Sequence, residues 1–210
     1  MAGKRNEKMM AYNRVSIMES ACRVFKEKGI AATTMDDIAK AAEYSKTTVY
    51  NYFGNKEELV NQIILEGMDM YRDKVADEAA RSKDTADFYK RFCALIRNLH
   101  DKQPVYYEGI AGAVSFDEKA PEDDLLRKIY LSGEEANQIV VEQVAKGISS
   151  NDIAINTDMK STMMLMWFCI LGIVEKSTLK EAYLTHHTGK TKSEFLKFAF
   201  DTLYTLIDKK

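Results

Sequence analysis

The chain has 210 residues, 46% of them hydrophobic and 30% charged, which suits one large or two small globular domains and excludes a disordered or fibrous protein. It holds two prolines, Pro104 and Pro121, and no sustained alternation of β-branched residues, so we expect an all-α fold. The formal net charge is −2, but residues 1–56 hold ten basic and six acidic residues. A basic segment joined to an acidic remainder indicates that the N-terminal part binds a polyanion.

The cysteines and the apolar stretches bear on the compartment. Cys22, Cys93 and Cys169 are odd in number, far apart and set among apolar residues, which is typical of free thiols in a reducing compartment. The charged N-terminus precedes no apolar core, so no signal peptide is expected. The longest apolar stretch, twelve residues over 163–174, falls short of the ~20 that span a bilayer. We therefore expect a cytoplasmic protein without a membrane partner.

Helical spacing of apolar residues predicts three helices in the N-terminal part, over 11–28, 35–42 and 46–53. The polar residues before the first helix are expected to fray, and Gly29 is a fitting stop at its end. Thr34 is the expected N-cap of the second helix, because its hydroxyl can accept from the backbone N–H of Asp37. A break follows at 43–45, where Ser45 is the expected cap of the third helix.

A long fourth helix is predicted over 56–80, because Asn55 and Glu58 have the spacing of a capping box. We expect this helix to join the basic N-terminal part to the acidic remainder. Pro121 at a helix start and Gly147 at a helix end suit two later boundaries. The remaining predicted helices cover 85–102, 105–115, 122–146, 158–177 and 193–208, and polar loops are predicted at 147–157 and 183–191.

The second and third helices have the spacing of a helix-turn-helix, with small residues Ala39 and Ala42 where they cross. In that arrangement the first helix braces across the DNA backbone and the second enters the major groove. With Val49 and Phe53 facing the core, periodicity leaves four residues outward: Lys46, Thr47, Tyr50 and Asn51. Lysine, threonine and asparagine can read base edges, and tyrosine can hold phosphate. The alternative is the solvated face of a small helical bundle.

A gap-free pattern over 12–60 is carried by Phe25, Gly29, Thr33-Thr34, Ile38-Ala39, Ala42, Ser45, Val49-Tyr50, Tyr52-Phe53 and Lys56-Glu57-Glu58-Leu59. This pattern resembles the N-terminal signature of the TetR family of regulators. The resemblance implies a three-helix DNA-binding head over 1–55 and a C-terminal helical bundle over 56–210 that binds a small effector and forms a homodimer. It also implies that the partner is a palindromic double-stranded operator, which a repressor of this family releases when its effector binds.

Position by position, the resemblance implies which residues contact DNA. Base-reading positions match Lys46, Thr47 and Asn51, phosphate-contacting positions match Thr34, Tyr50, Tyr52 and Lys56, and Thr48 beside them is expected to join this set. The turn departs from the family pattern, because Glu43 and Tyr44 stand where the family usually has Gly-Val. A glutamate at positive φ costs ~1 kcal/mol that a glycine does not, and its carboxylate lies near the DNA.

The C-terminal part is expected to form the dimer. Residues 159–174 are apolar on all sides, so a helix there must be covered on all sides, partly by a partner subunit. The last predicted helix offers a second apolar surface between Phe195 and Ile207. Two such helices from each subunit would form a four-helix interface, in which Gly172 allows close approach. A two-fold dimer fits a palindromic operator.

The effector pocket is expected among aromatic and methionine side chains of the same part. The candidate ligand-binding residues are Phe92, Ile96, His100, Tyr107, Tyr130, Met163 and Trp167. Because methionine-rich surfaces adapt to varied ligands, we expect a small apolar or aromatic effector. His100 and Tyr107 could supply hydrogen bonds to it. The alternative is ordinary core packing, with His100 near a helix end.

Motifs for catalysis or metal binding are missing from the sequence. It has no nucleophile elbow, phosphate loop, dinucleotide fingerprint or His-Glu-x-x-His motif. His186 and His187 are adjacent and cannot readily ligate one ion, so we expect no metal and no cofactor. Two further functions stay open, an enzyme and a helical protein-interaction module without DNA binding. The second would lack the steep salt dependence of DNA binding.

Overall fold

The computed structural model describes residues 2–112, 121–155 and 157–208. These residues form ten helices: α1 (Ala2–Lys28), α2 (Met35–Ala41), α3 (Lys46–Tyr52), α4 (Lys56–Arg81), α5 (Thr85–Lys102), α6 (Pro104–Ala111), α7 (Leu125–Ser149), α8 (Met159–Leu179), α9 (Glu181–Thr188) and α10 (Lys192–Tyr204). Within these ranges, β pairing is limited to one isolated antiparallel bridge between Ile153 and Asp208. The prediction of an all-α fold is confirmed.

Helix boundaries agree with the sequence where local signals are strong. α5 has the predicted limits, and α1 ends before Gly29, which has φ 79°. α1 begins nine residues earlier than predicted, because helix-forming residues continue its first turns. The predicted loop at 183–191 is wrong, since α9 covers most of it and buries Leu184. The end of the predicted helix over 105–115 lies outside the described residues.

Gly147 was expected to end a helix, and this expectation is wrong. It lies inside α7, which continues to Ser149. A Cβ at Gly147 would collide with the side chain of Thr85 at the start of α5. The glycine is therefore needed for the close approach of these two helices and not for a turn.

By its internal contacts the chain divides into two compact units, Met1–Met68 with Pro104–Tyr130, and Asp69–Gln103 with Leu131–Lys210. Two of the boundaries between the units lie within helices, one in α4 and one in α7. The predicted domain ranges, 1–55 and 56–210, stay predictions about function. The first unit contains α1, α2 and α3, and we call residues 2–55 the head.

The first unit has a continuous apolar core. Its fully buried members come from α1, α2, α3, the link after α3 and α4: Ile17, Ala21, Ile38, Val49, Phe53, Leu59 and Ile63. Val105 of α6 joins the same cluster. This core packs the three helices of the head against the first turns of α4.

The second unit is built around α5, α8 and α10. The buried face of α5 includes Phe92 and Ile96, and the Tyr89 hydroxyl donates to the Phe200 carbonyl oxygen at 3.0 Å. The Trp167 ring of α8 lies 6.2 Å from the Phe92 ring and 6.5 Å from the Tyr71 ring. These aromatic contacts tie α4, α5 and α8 into one core.

α8 is longer and more apolar than the sequence pattern indicated. It has 21 residues with a mean hydropathy of 1.4 in its most apolar stretch, of which 22% is buried. Among the described helices, it alone is long and apolar enough to cross a membrane by length and composition. The expectation that this region is too short was therefore wrong, because it counted one uninterrupted apolar run. α8 packs against α5 and α10 and leaves Leu165 and Phe168 exposed.

Candidate nucleic-acid interface

The start of α2 is fixed by a reciprocal cap. The Thr34 hydroxyl accepts from the Asp37 backbone N–H at 3.2 Å, and the Asp37 carboxylate accepts from the Thr34 backbone N–H at 3.0 Å. Lys28 forms an ion pair with the same carboxylate at 2.8 Å. The bond from Lys28 and those from Thr34 hold the pKa of Asp37 well below its usual range. The predicted Thr34 cap is confirmed.

The turn between α2 and α3 has the hydrogen bonds of a Schellman motif. The Tyr44 N–H donates to the Ala39 carbonyl oxygen at 3.0 Å, and the Glu43 N–H donates to the Lys40 carbonyl oxygen at 3.2 Å. Glu43 therefore occupies the position that favours glycine, and its φ is 60°. The Tyr44 side chain packs against the apolar core of the first unit. The turn thus has the backbone of a helix that ends at glycine, although glutamate stands there.

The third helix presents a polar face to solvent. Ser45 caps it by accepting from the Thr48 backbone N–H at 3.0 Å, as predicted. Val49 and Phe53 are fully buried. The residues expected to face outward are exposed: Lys46, Thr47, Tyr50 and Asn51. Thr48 is half-buried between the two sets.

Lys46 is paired within the head. Its Nζ lies 2.7 Å from the Asp36 Oδ1, with both side chains more than half exposed. This contact with Asp36 raises the pKa of Lys46. The same ammonium lies 6.0 Å above the Tyr50 ring. A lysine with these contacts can reach a base edge only after it leaves Asp36.

Two residues of α1 that sequence reasoning missed hold the end of α3. The Arg14 guanidinium lies 4.5 Å above the Phe53 ring and donates to the Tyr52 carbonyl oxygen at 3.3 Å and to Gln62 at 2.9 Å. The Asn13 amide bonds both Tyr52 and Tyr44. These partners are 31 to 48 residues apart in sequence, so no local pattern could have revealed them.

Lys56, the first residue of α4, also bonds the head. Its Nζ donates to the carbonyl oxygens of Ile30 at 3.0 Å, Ala31 at 3.3 Å and Thr33 at 2.9 Å. An ammonium has three donors, and these three carbonyls account for all of them. Lys56 therefore fixes the link between α1 and α2, a role that the sequence did not predict.

The predicted capping box at the start of α4 is shifted by one residue. Asn55 accepts from the Glu58 backbone N–H at 2.8 Å, as expected, but Glu58 accepts from the Gly54 N–H at 2.9 Å instead of that of Asn55. Both orphan donors are nonetheless satisfied. The long helix thus begins from a fixed point directly after α3.

The candidate ligand residues lie in both units. In the second unit, Phe92 and Ile96 are buried on α5, while His100, Met163 and Trp167 are half-buried. His100 lies in the last turn of α5, with its Nδ1 3.1 Å from the Asp101 carboxylate. In the first unit, Tyr107 is buried on α6 and Tyr130 is exposed on α7. These residues stay candidates.

The adjacent histidines lie on α9, where His187 stacks on the Tyr183 ring at 4.1 Å. Across the described ranges, no group of three or more His, Cys, Asp or Glu side chains has the arrangement of a metal site. An open apolar groove of about 840 Å³ lies between α8, α9 and α10. Its wall includes Gly172. A Cβ added at this glycine would have no neighbouring atom within 4 Å.

Residues 17–63 match the family model described as bacterial regulatory proteins, tetR family. Among curated proteins, the chain is 29% identical to the HTH-type transcriptional regulator BetI of Rhizobium meliloti, over 59% of each chain. It is 36% identical to the HTH-type transcriptional regulator TtgR of Pseudomonas putida, over 40% of this chain and 39% of that protein. The chain thus spans less than two thirds of the length of these two curated relatives.

Solved structures extend the likeness to the whole fold. A TetR family transcription regulator from Marinobacter aquaeolei VT8 has a TM-score of 0.67 at 21% identity and covers 98% of this chain and 100% of its own. The regulator FadR from Bacillus subtilis, in complex with stearoyl-CoA, has a TM-score of 0.69 at 17% identity, with 92% and 98% covered. Residues 17–63 therefore resemble the tetR family of bacterial regulatory proteins, and the chain shares its fold with solved TetR-family regulators.

Proposed function

We propose that this protein is a cytoplasmic transcriptional regulator, of the repressor kind, that binds a specific double-stranded operator and releases it when a small effector binds. The observation that carries the proposal is the exposed polar face of α3 on a head that matches the TetR family. As the second helix of a helix-turn-helix, α3 has the dimensions to enter the major groove. The regulators among the relatives support a binding function instead of catalysis.

The exposed face of α3 divides into two kinds of DNA contact. Lys46, Thr47 and Asn51 would read base edges, since lysine bonds guanine acceptors, asparagine pairs with adenine, and a threonine methyl meets thymine. The hydroxyl groups nearby would bind phosphate: Thr34, Thr48, Tyr50 and Tyr52. Lys56 contributes its charge alone, because its three donors already bond backbone carbonyls.

Fluorescence anisotropy tests DNA binding with two labelled duplexes of equal length, the intergenic DNA beside the protein's own gene and a shuffled copy. We expect the first to bind more tightly, with an affinity that falls steeply as salt rises. Tyr50→Ala should weaken both complexes, while Asn51→Ala should reduce the preference between them. Tyr183→Ala, an exposed tyrosine of α9, is the control. If wild type binds neither duplex, or binding ignores salt, the interaction module becomes the better hypothesis.

We propose further that α8 and α10 form a homodimer interface. Leu165, Phe168, Phe198 and Leu206 are each more than half exposed on or beside these helices, and such a surface is costly to leave in water. Size-exclusion chromatography with light scattering should give a dimer. Phe168→Glu should give monomers, whereas Met10→Glu, at an apolar site of α1 that is also more than half exposed, should leave the dimer intact. A monomeric wild type would contradict the interface.

The effector is proposed to be small and apolar or aromatic, and to bind near Phe92, Ile96, Met163 and Trp167. The aromatic contacts of Trp167 support this, as does the fold shared with a regulator whose structure holds stearoyl-CoA. His100, in the last turn of α5, stays the candidate for a polar contact there. The chain has one tryptophan, so its fluorescence reports on this region directly.

Titration with stearoyl-CoA, and with free coenzyme A as the control, tests the effector class. We expect the acyl compound alone to change the emission of Trp167, to raise the melting temperature and to release the operator duplex. If no apolar or aromatic compound of a thermal-shift screen does any of these, the proposed effector class is wrong while DNA binding still stands.

A further inference from the structure

We infer that Asn13 is a positioning residue for DNA binding: its side-chain amide links Tyr44 to Tyr52 and leaves the Tyr52 hydroxyl proton free to bind a DNA phosphate. The inference rests on the proposed function. It concerns a residue of α1 that lies outside the helix-turn-helix. Three observations support it.

The directions of the hydrogen bonds are fixed by the groups involved. The Asn13 Oδ1 only accepts, so the Tyr44 hydroxyl donates its single proton to it at 2.9 Å. The Asn13 Nδ2 only donates, so the Tyr52 hydroxyl oxygen accepts from it at 3.0 Å. The Tyr52 proton is used in neither bond. The chain of hydrogen bonds therefore runs from Tyr44 in the turn, through Asn13 of α1, to Tyr52 at the end of α3.

Tyr52 is half-buried and is held by its ring and its backbone as well. It is the last residue of α3, its ring packs against the core of the first unit, and its carbonyl oxygen accepts from Arg14. Within the described part of the chain, its hydroxyl proton has no acceptor. A hydroxyl whose oxygen accepts a bond becomes a stronger donor, because successive hydrogen bonds polarise one another. Phosphate oxygens are the acceptors that such a donor meets on DNA.

The same amide also bonds a residue at each end of α3. Tyr44 follows the strained Glu43 and lies two residues before Lys46, and Tyr52 closes the helix. One side chain of α1 thus holds both ends of α3. A displacement of Asn13 would release the turn and the terminal tyrosine together, so the proposal predicts coupled effects in variants of these residues.

The test uses the full chain, the operator duplex of the anisotropy assay, and Asn13→Ala and Tyr52→Phe alone and combined. Each single change should weaken binding roughly tenfold, the scale of one hydrogen bond to a charged group. The double variant should also lose roughly tenfold and not a hundredfold, because both changes remove the same oriented proton. Asn13→Ala improves helix propensity, so its melting temperature should not fall in parallel. Tyr12→Phe, an exposed tyrosine of α1, is the control.

Asn13→Asp gives a second, independent reading. A carboxylate accepts from both tyrosines, which takes the Tyr52 proton away from DNA, and it adds a negative charge that the phosphates repel. Binding should therefore fall further than in Asn13→Ala. If wild type binds the duplex but Asn13→Ala or Tyr52→Phe binds as wild type does, this inference is overturned and the regulator stands. Additive losses overturn it as well. If wild type does not bind any duplex in a salt-dependent way, the proposed function itself fails.

Discussion

Replacement of Glu43 by glycine tests whether the turn of the helix-turn-helix is strained. Glu43 has φ 60°, a conformation that costs an L-residue roughly 1–2 kcal/mol. Glycine removes this cost, although the freedom it adds to the unfolded chain costs about 0.4–1 kcal/mol. The free energy of unfolding should therefore rise by about 1 kcal/mol. For a chain of 210 residues, that change corresponds to a Tm higher by about 2–4 °C.

Thermal unfolding followed by circular dichroism measures this change, and Glu43→Ala is its matched control. Alanine removes the carboxylate but keeps the Cβ, so the variant keeps the strain and should melt close to wild type. Both variants remove a negative charge from the turn before α3, so both should bind the operator duplex more tightly at low salt. A glycine variant that melts at or below wild type, or an alanine variant that gains equally, would refute the assignment of strain to this position.

Three further predictions follow from single contacts. Asp36→Asn frees Lys46 from its ion pair and should tighten DNA binding roughly two- to fivefold in the anisotropy assay; unchanged affinity would show that the pair does not compete. The bond from Lys28 lowers the pKa of Asp37, so Asp37 stabilises the fold above its ordinary pKa of about 3.9 and loses this effect as the pH falls below it. The Tm deficit of Asp37→Asn should accordingly shrink in acid, and a deficit that persists there would contradict the ion pair. Burial raises the pKa of Cys93 to about 12, so iodoacetamide at mildly alkaline pH should modify it in urea but not in the native protein, as peptide mass mapping would reveal.

The elements of the head were predictable because their signals are local. Thr34 and Ser45 cap helices through bonds that span three residues, and Gly29 ends α1 within one turn. The positive φ of Glu43 followed from the family pattern of the turn. The sequence therefore predicted the helix-turn-helix and its outward face, and both are observed.

The missing parts depend on residues distant in the chain. The Arg14 contact with Phe53 and the Asn13 bonds to the tyrosines cross tens of residues, and no periodicity records them. α9 was missed for a different reason, since a polar stretch with one buried residue, Leu184, resembles a loop in composition. Gly147 shows that a glycine alone does not distinguish a helix end from a close helix contact.

The hydrogen bonds of Lys56 and Arg14 connect the start of α4 to the rest of the head. Lys56 joins the first turn of α4 to the link before α2, and Arg14 joins Gln62 to the end of α3. Both anchors lie within the first unit, so we expect the first turns of α4 and the end of α3 to move together. Loss of either anchor would let the start of α4 shift without α3.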